Sequence, residues 1–159
     1  MKRLSAVSIR AAGMFVIQQP VARAQLRSEL ARRRPFRTET VICQGGEFAR
    51  LMLLALFAHS PARPGVVRFA SVRSRVPRVE PRLPMSFPSR GPWLLQLQAR
   101  DGRFVVGRNR RHRKTISCFG MMDRLCGVPL TTRNWSMMPA IAKVLDPVVR
   151  AVADGLPEP

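Results

Sequence analysis

The apolar positions change period several times along the chain, and each change predicts an element. Leu4, Val7, Ala11, Met14 and Gln18 recur at three- and four-residue intervals, with Phe15 beside Met14, which predicts an amphipathic helix over 4–18. Leu26 and Leu30 lie four apart and Glu29 is placed to pair with Arg33, so 25–34 reads as a short helix ended by Pro35. Thr38 to Cys43 is β-branched enough for a short strand. Beyond Gln44-Gly45-Gly46, the residues 47–59 are apolar on nearly every face, which predicts a helix that seeks burial in a core or against a partner. Near the C-terminus, Ile141, Val144, Leu145, Val148, Val149 and Val152 keep helical spacing over 139–154. Asp146-Pro147 divides that helix in two, with Asp146 as N-cap and Pro147 at the first position of the second piece.

The period falls to two in WLLQLQARDGRFVV, residues 93–106, where Asp101-Gly102 sits between two apolar runs. This predicts a β-hairpin whose two-residue turn pairs Arg100 with Arg103, Ala99 with Phe104 and Leu97 with Val106. The register places Trp93, Leu95, Leu97, Ala99, Phe104 and Val106 on one face. Gln96, Gln98, Arg100 and Arg103 fall on the other, with Val105 the exception. An isolated hairpin is marginal in water, so it must pack on something, and the helix at 47–59 is the expected support.

Between these elements, residues 61–92 hold seven prolines, seven arginines and one acid, Glu80. Proline at that density excludes helices and central strands and predicts an extended linker, in which the run from Val66 to Val76 can pair only at a sheet edge. The resulting expectation is a small, partly disordered α+β protein in four parts. These are a basic N-terminal segment (1–28), a helical segment (29–60), the Arg/Pro linker (61–92), and a hairpin, basic run and C-terminal helix (93–154).

Composition alters this picture mainly through charge. The 159 residues carry 28 Lys and Arg against nine acids, a formal charge of +19, and 25 of the 28 cations are arginine. Such a chain attracts polyanions, and the guanidinium fork grips phosphate at two points and stacks on bases. Leu, Ile, Val and Phe still supply 44 residues, enough for a modest core. Ala, Arg, Pro and Gly total 65 residues while Lys, Asn, Ile and Tyr total ten, a bias that a GC-rich by-product reading frame with no evolved function would also produce.

The first 28 residues contain five cations and no acid, so they fit a mitochondrial transit peptide or a weak secretory signal with Ala22-Arg23-Ala24 as cleavage site, as well as a plain first helix. Three unevenly spaced cysteines do not form a disulfide framework and favour an intracellular setting: nucleus or mitochondrion in a eukaryote, cytoplasm in a bacterium. The longest apolar run, Leu51 to Ala58, is eight residues, too short to span a bilayer.

Catalytic and metal readings find little support. Cys43 in ICQGG lacks an upstream histidine, and Gly45-Gly46 lacks the Lys-Ser/Thr ending of a phosphate loop and is followed by the acid Glu47. The close candidate ligands are spaced H-x5-C-x7-C, and Cys43 and His59 do not complete a recognised zinc pattern. The nine acids form no pair near a histidine, so neither an enzyme nor a cofactor is expected.

Two basic clusters remain. Arg108, Arg110, Arg111, Arg113 and Lys114 leave directly from the predicted hairpin, with Arg100 and Arg103 nearby, and Arg32, Arg33, Arg34 and Arg37 form the second cluster. The favoured reading is a non-enzymatic protein that binds nucleic acid, RNA before duplex DNA, through these arginines, with Trp93 or Trp135 able to stack a base. The alternative is an interaction or regulatory protein whose basic runs are import signals and whose apolar helices at 47–59 and 139–154 dock onto a protein partner.

Overall fold

The computed structural model describes residues 5–9, 13–33, 40–58 and 61–155. In chain order they form β1 (Ala6–Ile9), β2 (Met14–Ile17), α1 (Arg23–Arg33), α2 (Gly45–Leu53), β3 (Val66–Arg73), β4 (Met85–Phe87), β5 (Leu95–Asp101) and β6 (Phe104–Arg110). There follow α3 (Thr115–Cys126), β7 (Leu130–Asn134), a 3-10 helix (Trp135–Met137), α4 (Met138–Val144) and α5 (Asp146–Ala153). The class is α+β, and the chain divides into two compact units: Leu51–Met138, and Met1–Arg50 with Pro139–Pro159.

The unit Leu51–Met138 is built on a five-stranded antiparallel sheet in the order β4-β5-β6-β3-β7. Its largest departure from expectation is β3. The stretch anticipated as a linker supplies an interior strand, paired to β6 on one side and β7 on the other, rather than an edge. The seven prolines of 61–92 explain why: they bracket 65–76 without entering it, so every amide in VVRFASVR is free to join a ladder. β4, from the same stretch, is the short strand at the opposite edge.

β5 and β6 form the anticipated hairpin, but its turn lies one residue later, which displaces the pairing by two residues next to the turn and by one beyond a bulge. Asp101 faces Phe104 across a Gly102-Arg103 turn, Ala99 faces Val106 and Leu97 faces Gly107, with a β-bulge between Leu97 and Ala99. A bulge gives one strand an extra residue and exchanges the faces beyond it. Leu95 and Leu97 therefore share a face with Val105 and Phe69, and Arg100 points to that same side. There α3 closes the core, its Cys118, Met122 and Cys126 recurring every four residues against Phe69, Phe87, Leu95, Leu97 and Val105. Burying each Leu or Phe of this kind contributes roughly 1.5–3 kcal/mol.

Gly107 lets β5 and β6 approach. A Cβ at this position would lie 2.2 Å from the carbonyl oxygen of Gln96 and 2.8 Å from Cζ of Phe69, so only glycine admits the Phe69 ring to the core face.

In the other unit, the described parts of the range expected as a helix over 4–18, residues 5–9 and 13–18, are not helical. β1 and β2 pair antiparallel, Ala6 with Ile17 through Ile9 with Met14, and bury Ile9 and Val16. The same apolar residues satisfy a period of three to four and a period of two. Gly13, at φ +64°, and the aromatic and β-branched run FVI decide for the strand. α1 corresponds to the predicted helix at 25–34, though Arg34 lies outside the described residues, and Glu29 bonds both Arg32 (2.9 Å) and Arg33 (2.5 Å).

The expected strand at 38–43 is absent from its described part, 40–43. α2 begins two residues earlier than expected and ends at Leu53 instead of His59, which lies outside the described residues. Turns follow, with Ala55 at φ 46°, and they allow Phe57 to be buried instead of continuing an all-apolar helix. The C-terminal helix is in two pieces as expected, but Asp146 is not the N-cap: Leu145 holds that position with no side-chain cap bond. Asp146 opens α5 and pairs with Arg150 at 2.8 Å, and Val148 lies against the bare Cα of Gly45.

Candidate nucleic-acid interface

The sheet face opposite α3 carries the arginines. In the register, Arg68 of β3 stands directly opposite Arg108 of β6, which stands opposite Gln96 of β5, so the three occupy one row across three strands. Two residues further along β6, Arg110 projects from the same face opposite Val66, and Arg133 of β7 lies on it opposite Ala70. Like charges in a row destabilise a sheet unless each is held apart from its neighbour. Here Arg108 donates to Oε1 of Gln96 at 2.7 Å, while Arg68 lies 5.4 Å from the ring centroid of Phe57, itself edge-on to Trp135 at 4.8 Å.

Where β5 begins and β6 ends, a groove of about 450 Å3 opens to solvent, lined by Arg63, Arg108, Arg110, Arg111, Trp93 and Gln96 among others, with no Asp or Glu in its walls. Trp93 is half-buried, and two guanidiniums lie on it, that of Arg110 at 4.7 Å from the ring centroid and that of Arg108 at 5.7 Å. Each such contact contributes about 0.5–1 kcal/mol at an exposed site and fixes the guanidinium plane. The backbone is fixed as well: Arg110 N–H donates to Leu94 O at 2.8 Å and Arg111 N–H to Gly65 O at 2.9 Å. Charge is thus presented by strand ends rather than by a loose loop.

The eleven arginines and lysines anticipated as site residues separate into groups. Arg108, Arg110 and Arg111 line the groove. Arg113 and Lys114 are exposed on the turn that leads into α3, where the Lys114 amide donates to Nδ1 of His112 at 3.2 Å. Arg100 and Arg103 do not join them. Arg100 projects on the α3 side, ion-paired to Glu80 at 2.6 Å and bonded to Pro81 O at 2.8 Å. Arg103 is 7% exposed, in the turn rather than on a polar face, and donates to the main-chain carbonyls of Arg73 and Ser74. The bulge and the one-residue shift of the turn are the physical cause of both placements.

Arg32 and Arg33 lie in the other unit at the end of α1, where they hold the Glu29 carboxyl below its ordinary range, chiefly through the Arg32 hydrogen bond. Arg34 and Arg37 lie outside the described residues.

Sequence reasoning missed Arg63, Arg68, Arg133 and Gln96 as partners of the basic run. Arg68 was discoverable only by reading β3 as an interior strand. Period two along Val66-Arg68-Ala70 then puts it on the face opposite Phe69.

The Gly45-Gly46 turn is occupied by its own helix. Glu47 accepts from the Gln44 amide at 2.9 Å, in the manner of a capping box, and pairs with Arg23 at 3.2 Å. Among the described residues no three His, Cys, Asp or Glu side chains gather into a metal-binding group, and no helix is long and apolar enough to cross a membrane. No family model, no curated protein and no solved structure matches the chain.

Proposed function

We propose that the protein is a non-enzymatic nucleic-acid-binding protein, taking RNA before duplex DNA through the Arg108–Lys114 run and the groove at its base. The observation that carries this reading is the convergence of Arg63, Arg108, Arg110 and Arg111 from two chain segments around Trp93. Guanidiniums on rigid strands suit phosphate, which they grip bidentately, and an aromatic wall among them suits a nucleic acid better than a plain polyanion. Arg113 and Lys114 extend the charged surface, and the 32–37 cluster assists.

The test is direct binding of a fluorescent 12-mer oligoribonucleotide to the protein and to the triple variant Arg63→Ala, Arg110→Ala, Arg111→Ala. All three side chains are exposed, so the fold is retained. Removing three phosphate contacts on a single strand weakens binding about a hundredfold at about 0.1 M salt. Unchanged affinity in the variant overturns the reading.

A second reading, capture of a protein partner by an apolar helix, is favoured by Leu53 and Leu54, each 47% exposed at the end of α2. It requires binding that is insensitive to salt and lost in Leu54→Asp.

A further inference from the structure

The groove is walled by guanidinium charge, the indole of Trp93 and the uncharged stretch Pro64-Gly65-Val66. Its one neutral polar side chain, Gln96, has its amide committed at both ends, since Oε1 accepts from Arg108 at 2.7 Å and Nε2 donates to Ser86 Oγ at 3.3 Å. A carboxamide so held positions Arg108 against Trp93, and its two anchoring bonds fix its orientation, so recognition of a base in the groove rests on stacking and not on this side chain.

We infer that the groove is a base-tolerant stacking subsite for one unpaired nucleotide of a single strand, an inference that rests on the nucleic-acid reading above. A volume of about 450 Å3 suits a single small ligand and not a duplex. In a duplex both faces of each base are covered by its neighbours, so an aromatic wall inside a groove reaches only a base that has left the stack.

The guanidinium of Arg110 lies over the indole, 4.7 Å from its centroid, so that ring face is already covered by a planar cation. The base adds to this stack on the exposed outer face of the Arg110 guanidinium, with the indole beneath it. Its flanking phosphates fall to Arg63 and Arg111, both exposed and carried on segments that the Arg111 N–H to Gly65 O bond joins. Stacking accepts every base because every base has a π face, so discrimination follows stacking strength alone.

The experiment uses full-length Trp135→Phe protein, in which Trp93 is the only tryptophan, and three ligands of matched charge: a 12-mer oligouridylate, an abasic 12-mer and a blunt duplex. Oligouridylate is expected to quench Trp93 emission, while the abasic strand binds with little quenching. Adding Trp93→Ala lowers oligouridylate affinity about five- to a hundredfold. The same change leaves abasic affinity within about twofold, and Trp93→Phe, which keeps a stacking ring, restores most of the loss. Equal loss on both strands, or a duplex that quenches as strongly as oligouridylate, overturns the stacking subsite while leaving phosphate binding intact. Failure of the unmutated protein to bind any of the three overturns the underlying nucleic-acid reading as well.

Discussion

Arg73 and Arg103 each donate to the other's main-chain carbonyl, Arg73 Nε to Arg103 O and Arg103 Nη1 to Arg73 O, both at 3.3 Å. The Arg73 amide adds a third bond to Arg103 O at 3.0 Å. The clasp locks the end of β3 to the β5–β6 turn, and Glu80 neutralises it, 2.7 Å from Arg73 and 2.6 Å from Arg100. Three arginines of this very basic chain are thereby structural.

Arg103→Ala is expected to leave carbonyls of Arg73 and Ser74 without their donor and to cost about 1–3 kcal/mol of stability. Oligoribonucleotide affinity stays within about twofold, because the side chain is buried away from the groove. Urea titration followed by circular dichroism, with binding measured on the same preparation, checks both halves. The unmutated chain should unfold in a cooperative transition, which a by-product reading frame without a selected fold would lack.

Glu80→Ala removes the carboxylate from Arg73, whose side chain is fully buried. Breaking a buried pair costs about 3–5 kcal/mol, and the 23% exposure of Glu80 together with the remaining carbonyl partners of Arg73 lowers this to roughly 2–3 kcal/mol. The shift in urea midpoint measures it, and a change below about 0.5 kcal/mol would deny the network its role.

Glycine offers a paired test. Gly107→Ala drives a methyl group into the Gln96 carbonyl, main chain that cannot yield, and is expected to cost about 3 kcal/mol or more. Gly120→Ala, on the exposed side of α3 with nothing within 4 Å, is expected to stabilise by about 0.5–1 kcal/mol through helix propensity. Thermal melting of the two variants should move in opposite directions.

How far these features could be read from sequence depended on whether the signal was local. Asp101-Gly102 and the flanking alternation announced the hairpin, and Asp146-Pro147 announced the break between α4 and α5. The bulge at Gln98 has no local signal, yet it shifted the register and moved Arg100 and Arg103 off the surface assigned to them. At Leu4–Gln18 two periods fit the same residues, and composition alone could not show that the prolines of 61–92 leave β3 clear. The groove was half legible. Arg108–Arg111 stood out as charge, but Arg63 reaches the groove, and Arg68 stands beside Arg108, only through the long-range pairing of β3 with β6.

Thiol chemistry reports on the core. Cys43 is exposed and Cys118 and Cys126 are buried, so a thiol reagent should modify one cysteine rapidly and the other two only after unfolding. Burial pushes the Cys126 thiol above its ordinary value of 9.0, against the opposing pull of Arg73. The unfolded chain therefore ionises first as pH rises. The stability held by the neutral thiol is complete below about pH 9 and falls above it. Cys126→Ala should flatten that decline in urea midpoints between about pH 8 and 10.

The central claim is that arginines on and beside the ends of β3 and β6, around Trp93, neutralise phosphates, and counterion release measures this most directly. The affinity of a 12-mer oligoribonucleotide, followed across a salt series, should fall with a log–log slope of about −4.2 if Arg63, Arg108, Arg110, Arg111, Arg113 and Lys114 each neutralise one phosphate of a single strand. In the Arg63→Ala, Arg110→Ala, Arg111→Ala variant the slope should shrink to about −2.1, and Arg100→Ala should leave it unchanged. A slope near zero, or one that the triple variant does not alter, would contradict the account.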